Sequence, residues 1–211
     1  RPLPSGRISR SSAWWLAVVE FVAGTLILYV FSGWLALLLG LAAFVWYNLI
    51  YTNLKKITAL AVIPGSVIGA IPPLVGWVAA GGELLNTHAL IIALFFFIWQ
   101  IPHFWMLALY FASDYKKAGF PVLTERFTMS RIKQQILVMI VITALMASIM
   151  AFSGLVTSWI TSFMILALSI GLILRFGALL REEKMKLRIQ FKTINYYVLA
   201  IVIFLCMDHL I

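Results

Sequence analysis

The feature that most limits the fold of this chain is the recurrence of apolar windows of similar length. Seven such windows lie at 14–31, 34–51, 57–80, 89–112, 136–152, 156–174 and 191–207. Each is about as long as a helix needs to cross a hydrocarbon core of about 30 Å. Hydrophobic residues make up 64% of the chain and charged residues 11%, more apolar surface than one soluble core of this size buries. We therefore predict a single all-α domain over 1–211, a transmembrane bundle of seven spans.

The positive charges mark alternate connections between the windows. All 16 Lys and Arg residues fall in four segments, which are 1–10, 55–56, 116–133 and 175–192. The intervening connections contain neither residue. By the positive-inside rule, the N-terminus and the basic loops lie on the cytoplasmic side of a bacterial cell membrane, or on the matrix side of the mitochondrial inner membrane. The C-terminus then lies outside.

The net charge of +9 would suit a nucleic-acid-binding protein. Here, however, every basic residue lies in a connection or at the edge of a window, where it serves topology or a site at the membrane face. We therefore predict no nucleic-acid partner. Cys206 is the only cysteine, which excludes an internal disulfide and a multi-cysteine metal site.

One apolar window runs directly into a charged loop, and its polar groups share a helical face. Gln100, His103, Tyr110 and Asp114 are spaced i, i+3, i+10 and i+14, and Leu107 is the one apolar residue in line with them. The rise of an α-helix places His103 and Asp114 about 16 Å apart. Polar groups are costly in a bilayer and normally face a cavity. We expect this helix to line a site that runs inward from the membrane surface.

His103 has two interpretations. A lone intramembrane histidine is most often a hydrogen-bonding partner between helices. Pro102 favours a ligand or catalytic role instead, because it removes a backbone donor and predicts a bent or opened helix beside His103. Trp99 and Trp105 flank the histidine, where they would either wall a large flat substrate or face lipid.

Three basic connections hold the other candidate residues, which are Arg1, Tyr51, Lys55, Asp114 and Lys117. Each has a simpler explanation, namely topogenic charge, interfacial anchoring, or charge balance at a helix end. Together they place one carboxylate beside several cations. That combination suits a divalent metal ion holding a diphosphate, with basic residues neutralising the leaving group.

The third window contains residues that interrupt helices. Pro72 and Pro73 predict a break in this span, which is tolerated at membrane depth only beside a cavity or protein. Gly65 and Gly69 form a GxxxG pair, which we interpret as close helix packing. Glu20, in the first window, is expected to be a buried acid without an assigned role.

Five segments of the chain match a known pattern in order. They are RPLPSGRIS at 1–9, YTNLKK at 51–56, GAIPPLVGW at 69–77, WQIPHFW at 99–105 and DYKKAGFPVL at 114–123. These segments resemble the haem O synthases (protohaem IX farnesyltransferases), a branch of the UbiA-type intramembrane prenyltransferases. GAIPPLVGW and WQIPHFW are specific to the haem branch. Beyond Leu123 the resemblance is one of hydropathy only.

The resemblance implies nine transmembrane helices around a central cavity, of which this chain would supply the third to the ninth. The family's Asn-x-x-x-Asp-x-x-x-Asp motif, which holds much of the Mg²⁺, ends just before RPLPSG. Because the chain begins at Arg1, we expect it to be truncated at its N-terminus and to lack a complete active site. The second acidic motif matches only at Asp114, since Ala118 stands where many relatives have a second Asp.

The resemblance also implies a reaction and its participants. A farnesyl group would pass from farnesyl diphosphate to a vinyl group of haem B, with Mg²⁺ as cofactor. Asp114 would hold the metal, Arg1, Lys55 and Lys117 the diphosphate, and Tyr51 would lie beside the leaving group.

Haem would meet His103, with Gln100 and Trp99 beside it. The contact of His103 would be to iron through an imidazole nitrogen, or to a propionate or water. Membrane lipid, and haem A synthase or other cytochrome oxidase assembly factors, complete the implied partners.

Two alternatives remain at this stage. A quinone- or chlorophyll-type prenyltransferase would share the fold but accept an aromatic acid or a chlorin; the haem-branch segments count against it. A transporter or channel with a polar midplane is the second, and such proteins often contain inverted repeats, which this sequence lacks.

Overall fold

The structure, a computed structural model, describes residues 2–178 and 186–209. Within these ranges the chain is helical and forms no strand. Six helical segments are long and apolar enough to cross a membrane: Arg10–Leu54, Ala59–Ala79, Thr87–Tyr110, Met129–Phe152, Trp159–Gly177 and Leu187–Asp208. The prediction of an all-α, multi-pass membrane protein is confirmed.

The α-helices are numbered here in chain order. They are α1 (Arg10–Val45), α2 (Thr52–Leu54), α3 (Val62–Gly65), α4 (Val67–Ala79), α5 (Thr87–Tyr110), α6 (Ala112–Lys117), α7 (Leu123–Arg126), α8 (Met129–Phe152), α9 (Trp159–Gly177) and α10 (Leu187–Asp208). A π-helical turn at Trp46–Tyr51 joins α1 to α2, and a 3₁₀ turn at Ala59–Ala61 leads into α3.

Helix α1 folds back on itself at Gly33. This glycine has φ 80° and ψ 178°, a conformation that side chains with a Cβ rarely adopt. The rings of Phe21 and Phe44 lie 4.7 Å apart between centroids, whereas a straight helix would separate them by about 34 Å. The two arms of α1 therefore run antiparallel and correspond to the first two apolar windows. The count of seven spans stays a prediction, since length and composition define six segments.

Helix α5 is the centre of the packing. It contacts α4, α8 and α10, and α8 and α10 both contact α9. Phe95 and Met106 on α5 are fully buried, as are Ile136 and Ile140 on α8. Asn86 begins α5 by accepting a hydrogen bond from the backbone N–H of His88 at 2.9 Å, the usual arrangement of an N-cap. Because α5 packs against helices on both sides of it in the chain, its side chains contact several different elements.

One hydrogen bond joins two basic connections, and another joins two connections that contain neither Lys nor Arg. Arg126 donates to the hydroxyl of Thr58 at 3.4 Å, which links two of the basic connections. His88 Nε2 lies 3.3 Å from the carbonyl oxygen of Ser153, which links two connections without Lys or Arg. The two basic connections that contain Thr58 and Arg126 therefore lie together at one end of the bundle, and the same placement of the other two stays a prediction.

The far end of α10 is tied to the start of α9. The carboxylate of Asp208 accepts from the backbone N–H of Thr157 at 2.7 Å, from its hydroxyl at 2.9 Å and from the N–H of Ser158 at 3.1 Å. These donors precede the first turn of α9, where backbone N–H groups lack helical partners. Asp208 therefore holds α10 against the entry to α9.

Two expectations about the spans are wrong. Helix α4 runs through Pro72 and Pro73, and the interruption of that segment lies at Ser66 instead. The prolines still remove the N–H groups that would bond the carbonyls of Ile68 and Gly69. Helix α5 contains Pro102 without ending there, and the bend expected beside His103 stays a prediction. Glu20 is exposed rather than buried.

Candidate functional site

The π-helical turn places the first pair of candidate residues. Trp46 donates from Nε1 to the carbonyl of Pro64 at 2.7 Å, which fixes the turn against the start of α3. The rings of Tyr47 and Tyr51 lie 5.6 Å apart between centroids. Lys55 follows just beyond α2, with Nζ 5.8 Å from the centre of the Tyr51 ring. Single π turns inside helices occur frequently at functional sites.

A charged cavity of about 610 Å³ opens beside Lys55. Its lining residues are Lys55, Phe111, Asp114, Tyr115, Ala118 and Phe120. Asp114 lies in the first turn of α6 and is exposed. Lys55 Nζ also lies 5.9 Å from the centre of the Phe120 ring, within the range of a cation–π contact. The structure therefore brings together the carboxylate and one of the cations that the sequence singled out.

An apolar cavity of about 650 Å³ lies among the long helices. Its lining residues are Tyr47, Tyr51, Val62, Gly65, Ile68, Gly69, Pro72, Pro73, Ile92, Phe96, Trp99, Gln100, Phe104, Val202, Leu205 and Cys206. Pro72 and Pro73 thus form part of a cavity wall, as expected, although the helix does not break there. Trp99 and Gln100 supply the polar groups of α5 in this wall. The volume is in the range of small-molecule and cofactor sites.

Tyr51 and Lys55 lie between the two cavities. Tyr51 lines the apolar cavity, and Lys55 lines the charged one. Both also line a narrow cavity of about 70 Å³, together with Tyr115. A molecule with an anionic head and an apolar body can therefore place its head near Lys55 and Asp114 and its body beyond Tyr51.

The GxxxG pair packs closely, and its neighbours are two of the candidate residues. A Cβ added to Gly65 would lie 2.6 Å from Cδ2 of Tyr51. A Cβ added to Gly69 would overlap the side chain of Gln100. Both glycines are buried, so the two side chains occupy space that any larger residue would take. The glycines thereby set the positions of Tyr51 and Gln100.

His103 points to α10. Its Nδ1 lies 2.9 Å from Oδ1 of Asn195, and its ring lies 4.8 Å from that of Phe191 between centroids. Asn195 Nδ2 donates to the carbonyl of Phe191 at 2.6 Å, which makes Oδ1 the acceptor and His103 Nδ1–H the donor. In the neutral ring, Nε2 then keeps a free lone pair. The rings of Trp99, at 4.8 Å, and Phe104, at 5.0 Å, are further close neighbours of the imidazole.

The prediction that four polar groups form one stripe is wrong. Helix α5 ends at Tyr110, and Phe111 interrupts the helical path before α6. Gln100 lines the apolar cavity, His103 contacts α10, and Asp114 lines the charged cavity. Gln100, His103 and Asp114 therefore meet three different parts of the molecule.

Two basic candidates, Lys117 and Arg1, are not among the described residues that line the charged cavity. Lys117 is exposed at the end of α6 and does not line the charged cavity. Its neighbour Lys116 pairs with Glu125 at 3.0 Å. Arg1 lies outside the described residues. The position of Arg1 and Lys117 on a bound diphosphate stays a prediction.

Sequence reasoning missed three residues of the site. Tyr115 and Phe120 line the charged cavity, and Asn195 fixes the ring of His103. Tyr115 directly follows Asp114 in the DYKKAG segment, and this adjacency could have predicted that Tyr115 lines the same cavity. Asn195 is 92 residues from His103, and no spacing rule joins residues that far apart.

The described residues contain no group of three His, Cys, Asp or Glu side chains close enough to hold a metal ion. Of the described residues that line the charged cavity, Asp114 is the one carboxylate. A single carboxylate fits Mg²⁺ only where other oxygens, such as those of a phosphate group, complete the coordination.

Comparisons with known proteins agree on one family. The UbiA prenyltransferase family matches residues 1–205. A protoheme IX farnesyltransferase of Geobacter sulfurreducens is 42% identical over 124 residues, which cover 59% of this chain and 46% of that protein.

Longer alignments exist at lower identity. A protoheme IX farnesyltransferase of Shewanella oneidensis is 34% identical, and one of Nitrosococcus oceani is 32% identical; each alignment covers 99% of this chain and 70% of the relative. The alignment with the Geobacter protein spans about half of that relative's length. No solved structure matches the chain. The family match over nearly all residues, supported by these relatives, shows that the chain belongs to the UbiA prenyltransferase family.

Proposed function

We propose that this chain forms part of an enzyme that transfers a farnesyl group from farnesyl diphosphate to a vinyl group of protohaem IX (haem B), which yields haem O. The observation that carries the proposal is the junction at Tyr51 and Lys55. There, a charged cavity with one carboxylate adjoins an apolar cavity with aromatic walls. The relatives from Geobacter sulfurreducens and Shewanella oneidensis are named protoheme IX farnesyltransferases, which supports farnesyl transfer to protohaem IX.

The charged cavity would receive the diphosphate. Lys55 would contact its oxygens directly, and Lys117 and Arg1 would approach from the same basic end. Asp114 would hold Mg²⁺ together with diphosphate oxygens. When bound, Mg²⁺ neutralises charge on the departing diphosphate.

The chemistry then proceeds at the junction of the cavities. The C1–O bond of farnesyl diphosphate breaks, and its electron pair leaves with the diphosphate. The π electrons of the haem vinyl group attack the allylic cation at C1. Water adds to the carbocation formed on the former vinyl group and loses a proton, which gives the hydroxyethylfarnesyl substituent. Tyr51 would lie beside the leaving group, close to C1, where its ring face would stabilise positive charge.

The apolar cavity would hold the body of the substrates. Trp99 lines it, and the buried Nε1–H of Trp99 has no partner among the described residues. Gln100 adds an amide group in the same wall. These donors suit a propionate at the edge of a porphyrin. His103 would reach haem through Nε2, at iron, a propionate or a water molecule.

The orientation in the membrane is part of the proposal. The basic end of the bundle would face the cytoplasm, or the mitochondrial matrix. Cysteine variants at Ser5, Asn86, Thr124 and Ser153, made in a protein whose Cys206 is replaced, should label alternately from inside and outside. Labelling of any two sites from the wrong side contradicts this topology.

One assay tests the reaction. The full-length enzyme is incubated with haem B, farnesyl diphosphate and Mg²⁺, and haem O is sought by mass spectrometry while pyrophosphate release is followed. Haem O and pyrophosphate in equal amounts support the proposal. Transfer of the prenyl group to an aromatic acid or a chlorin, with haem B unchanged, contradicts it.

A further inference from the structure

A further cavity, of about 380 Å³, lies where α5 and α8 pack together. Its lining residues are Trp105, Arg131, Gln134, Gln135, Val138 and Met139. None of these residues lines the charged or the apolar cavity. The cavity is therefore separate from the proposed substrate site and independent of the proposed reaction.

Two hydrogen-bond donors of this cavity, on Trp105 and Arg131, lack an acceptor among the described residues. Trp105 is only 5% exposed, yet its Nε1–H has no partner among the described residues. The guanidinium group of Arg131 has no ion pair or hydrogen bond within the part of the chain that the structure describes. Among the described residues, no carboxylate lines the cavity. Because buried donors are nearly always paired in proteins, this arrangement suits an acceptor-rich anion.

The cavity also changes character along α8. Arg131 lies in the first turn of this helix, within the basic segment 116–133. Val138 and Met139 lie about two turns further along, with Met139 about 12 Å from Arg131 by helical rise. A phospholipid has the same sequence of groups, with a phosphate at the membrane surface and methylene groups below it. Basic pockets between membrane helices on the cytoplasmic side bind anionic headgroups in other proteins.

We propose that this cavity binds the phosphate group of an anionic phospholipid. Arg131 and Trp105 donate to the phosphate oxygens, Gln134 and Gln135 contact the headgroup, and the acyl chain begins against Val138 and Met139. The apolar part of the lining distinguishes a lipid from free phosphate, which would leave these two residues unused.

Native mass spectrometry of the purified chain tests this site. Phosphatidylglycerol and phosphatidylcholine with identical acyl chains are titrated separately, and retained lipid is counted. Arg131→Gln should lower the affinity for phosphatidylglycerol about fivefold, the effect of one interfacial basic residue. Trp105→Phe keeps an aromatic ring but removes the donor, and should lower it about threefold. Arg188→Gln is the matched control, since Arg188 is also an exposed arginine near the start of a long helix at the basic end.

Thermal unfolding in phosphatidylcholine identifies variants that fail to fold, and Arg131→Gln, an exposed substitution, should unfold normally. A loss confined to Arg131→Gln and Trp105→Phe, and to phosphatidylglycerol, supports the site. An equal loss in Arg188→Gln would mean general surface attraction and overturns it. Binding of inorganic phosphate at this site without any retained phosphatidylglycerol overturns the assignment to a phospholipid.

Discussion

The charged cavity and the apolar cavity adjoin each other but are built from different parts of the fold. The charged cavity is formed where helices end, by Lys55 after α2 and by Asp114 and its neighbours around α6. The apolar cavity is formed where long helices pack, mainly α4, α5 and α10. Asp114 is exposed, whereas Gly65 and Gly69 are buried against Tyr51 and Gln100.

This difference separates two physical requirements. Charges at helix ends remain close to water, so they avoid the cost of placing an ion within the hydrocarbon core. Packed helices give a fixed shape, and small residues in them let neighbouring side chains approach. We therefore expect substitutions in the charged cavity to change the chemical step, and substitutions in the apolar cavity to change substrate position.

Asp114→Asn should have the largest effect. It keeps the size of the side chain but removes the charge that attracts Mg²⁺, so turnover of the full-length enzyme should fall about a hundredfold or more. Haem binding should be largely unchanged, because haem would lie in the other cavity. Turnover is measured across a Mg²⁺ titration, and haem binding by absorption spectroscopy.

Glu125→Gln is the control for this variant. Glu125 is the other carboxylate of the same loop region, and it pairs with Lys116. Its loss should leave turnover nearly normal. Unchanged turnover of Asp114→Asn at limiting Mg²⁺ would show that Asp114 is only a charge at a helix end.

Lys55→Gln should have the next largest effect. It removes the one cation that lines the charged cavity within the described part of the chain, and kcat/KM for farnesyl diphosphate should fall about thirtyfold, or about 2 kcal/mol. Lys56→Gln is the matched control, because Lys56 is exposed and lines neither cavity. Steady-state kinetics of both variants gives the two values of kcat/KM. Equal decreases would mean that the basic connection acts only through its total charge.

The general architecture could be predicted from the sequence because it depends on properties that each segment carries alone. Window length and charge alternation predicted a membrane bundle, and the structure places basic connections such as those of Thr58 and Arg126 together. The first two windows also correspond to the arms of α1, which separate at Gly33. The motif segments likewise led to Tyr51, Lys55 and Asp114, which line adjoining cavities.

The errors arose where a neighbouring element decides the outcome. The spacing of Gln100 and His103 predicts that they share one helical face. In the structure, Gln100 packs against Gly69 of α4, and His103 hydrogen-bonds to Asn195 of α10. Spacing within one helix contains no information about either partner. The effect of proline on the helix was also predicted to be too large. Helix α4 continues through Pro72 and Pro73, because a helix inside a bundle can lose hydrogen bonds at a proline without ending there.

Gly69→Ala tests the apolar cavity and should have an intermediate effect. The added methyl group overlaps Gln100, so Gln100 must move and the cavity changes shape. We expect haem affinity to fall about tenfold and the free energy of unfolding to drop by about 1–3 kcal/mol. Gly76→Ala, in the same helix, is the control because its Cβ would meet open space. If both variants bind haem normally, Gly69 does not set the position of a residue in the haem site.

His103→Ala should have the smallest effect, and it separates two roles of the same side chain. If Nε2 reaches haem, the variant should bind haem about fivefold more weakly or with an altered spectrum, while the affinity for farnesyl diphosphate stays near normal. If His103 only joins α5 to α10 through Asn195, the variant should lose about 1–2 kcal/mol of stability without a spectral change.

Asn195→Ala distinguishes these outcomes, because it removes the same interhelical hydrogen bond but leaves the imidazole in place. A haem spectrum altered in His103→Ala and normal in Asn195→Ala assigns the effect to the imidazole itself. The same loss of stability in both variants, with normal haem spectra and normal product yield, assigns His103 to packing. In that case Trp99 and Gln100 would remain as the polar groups that α5 offers to the porphyrin.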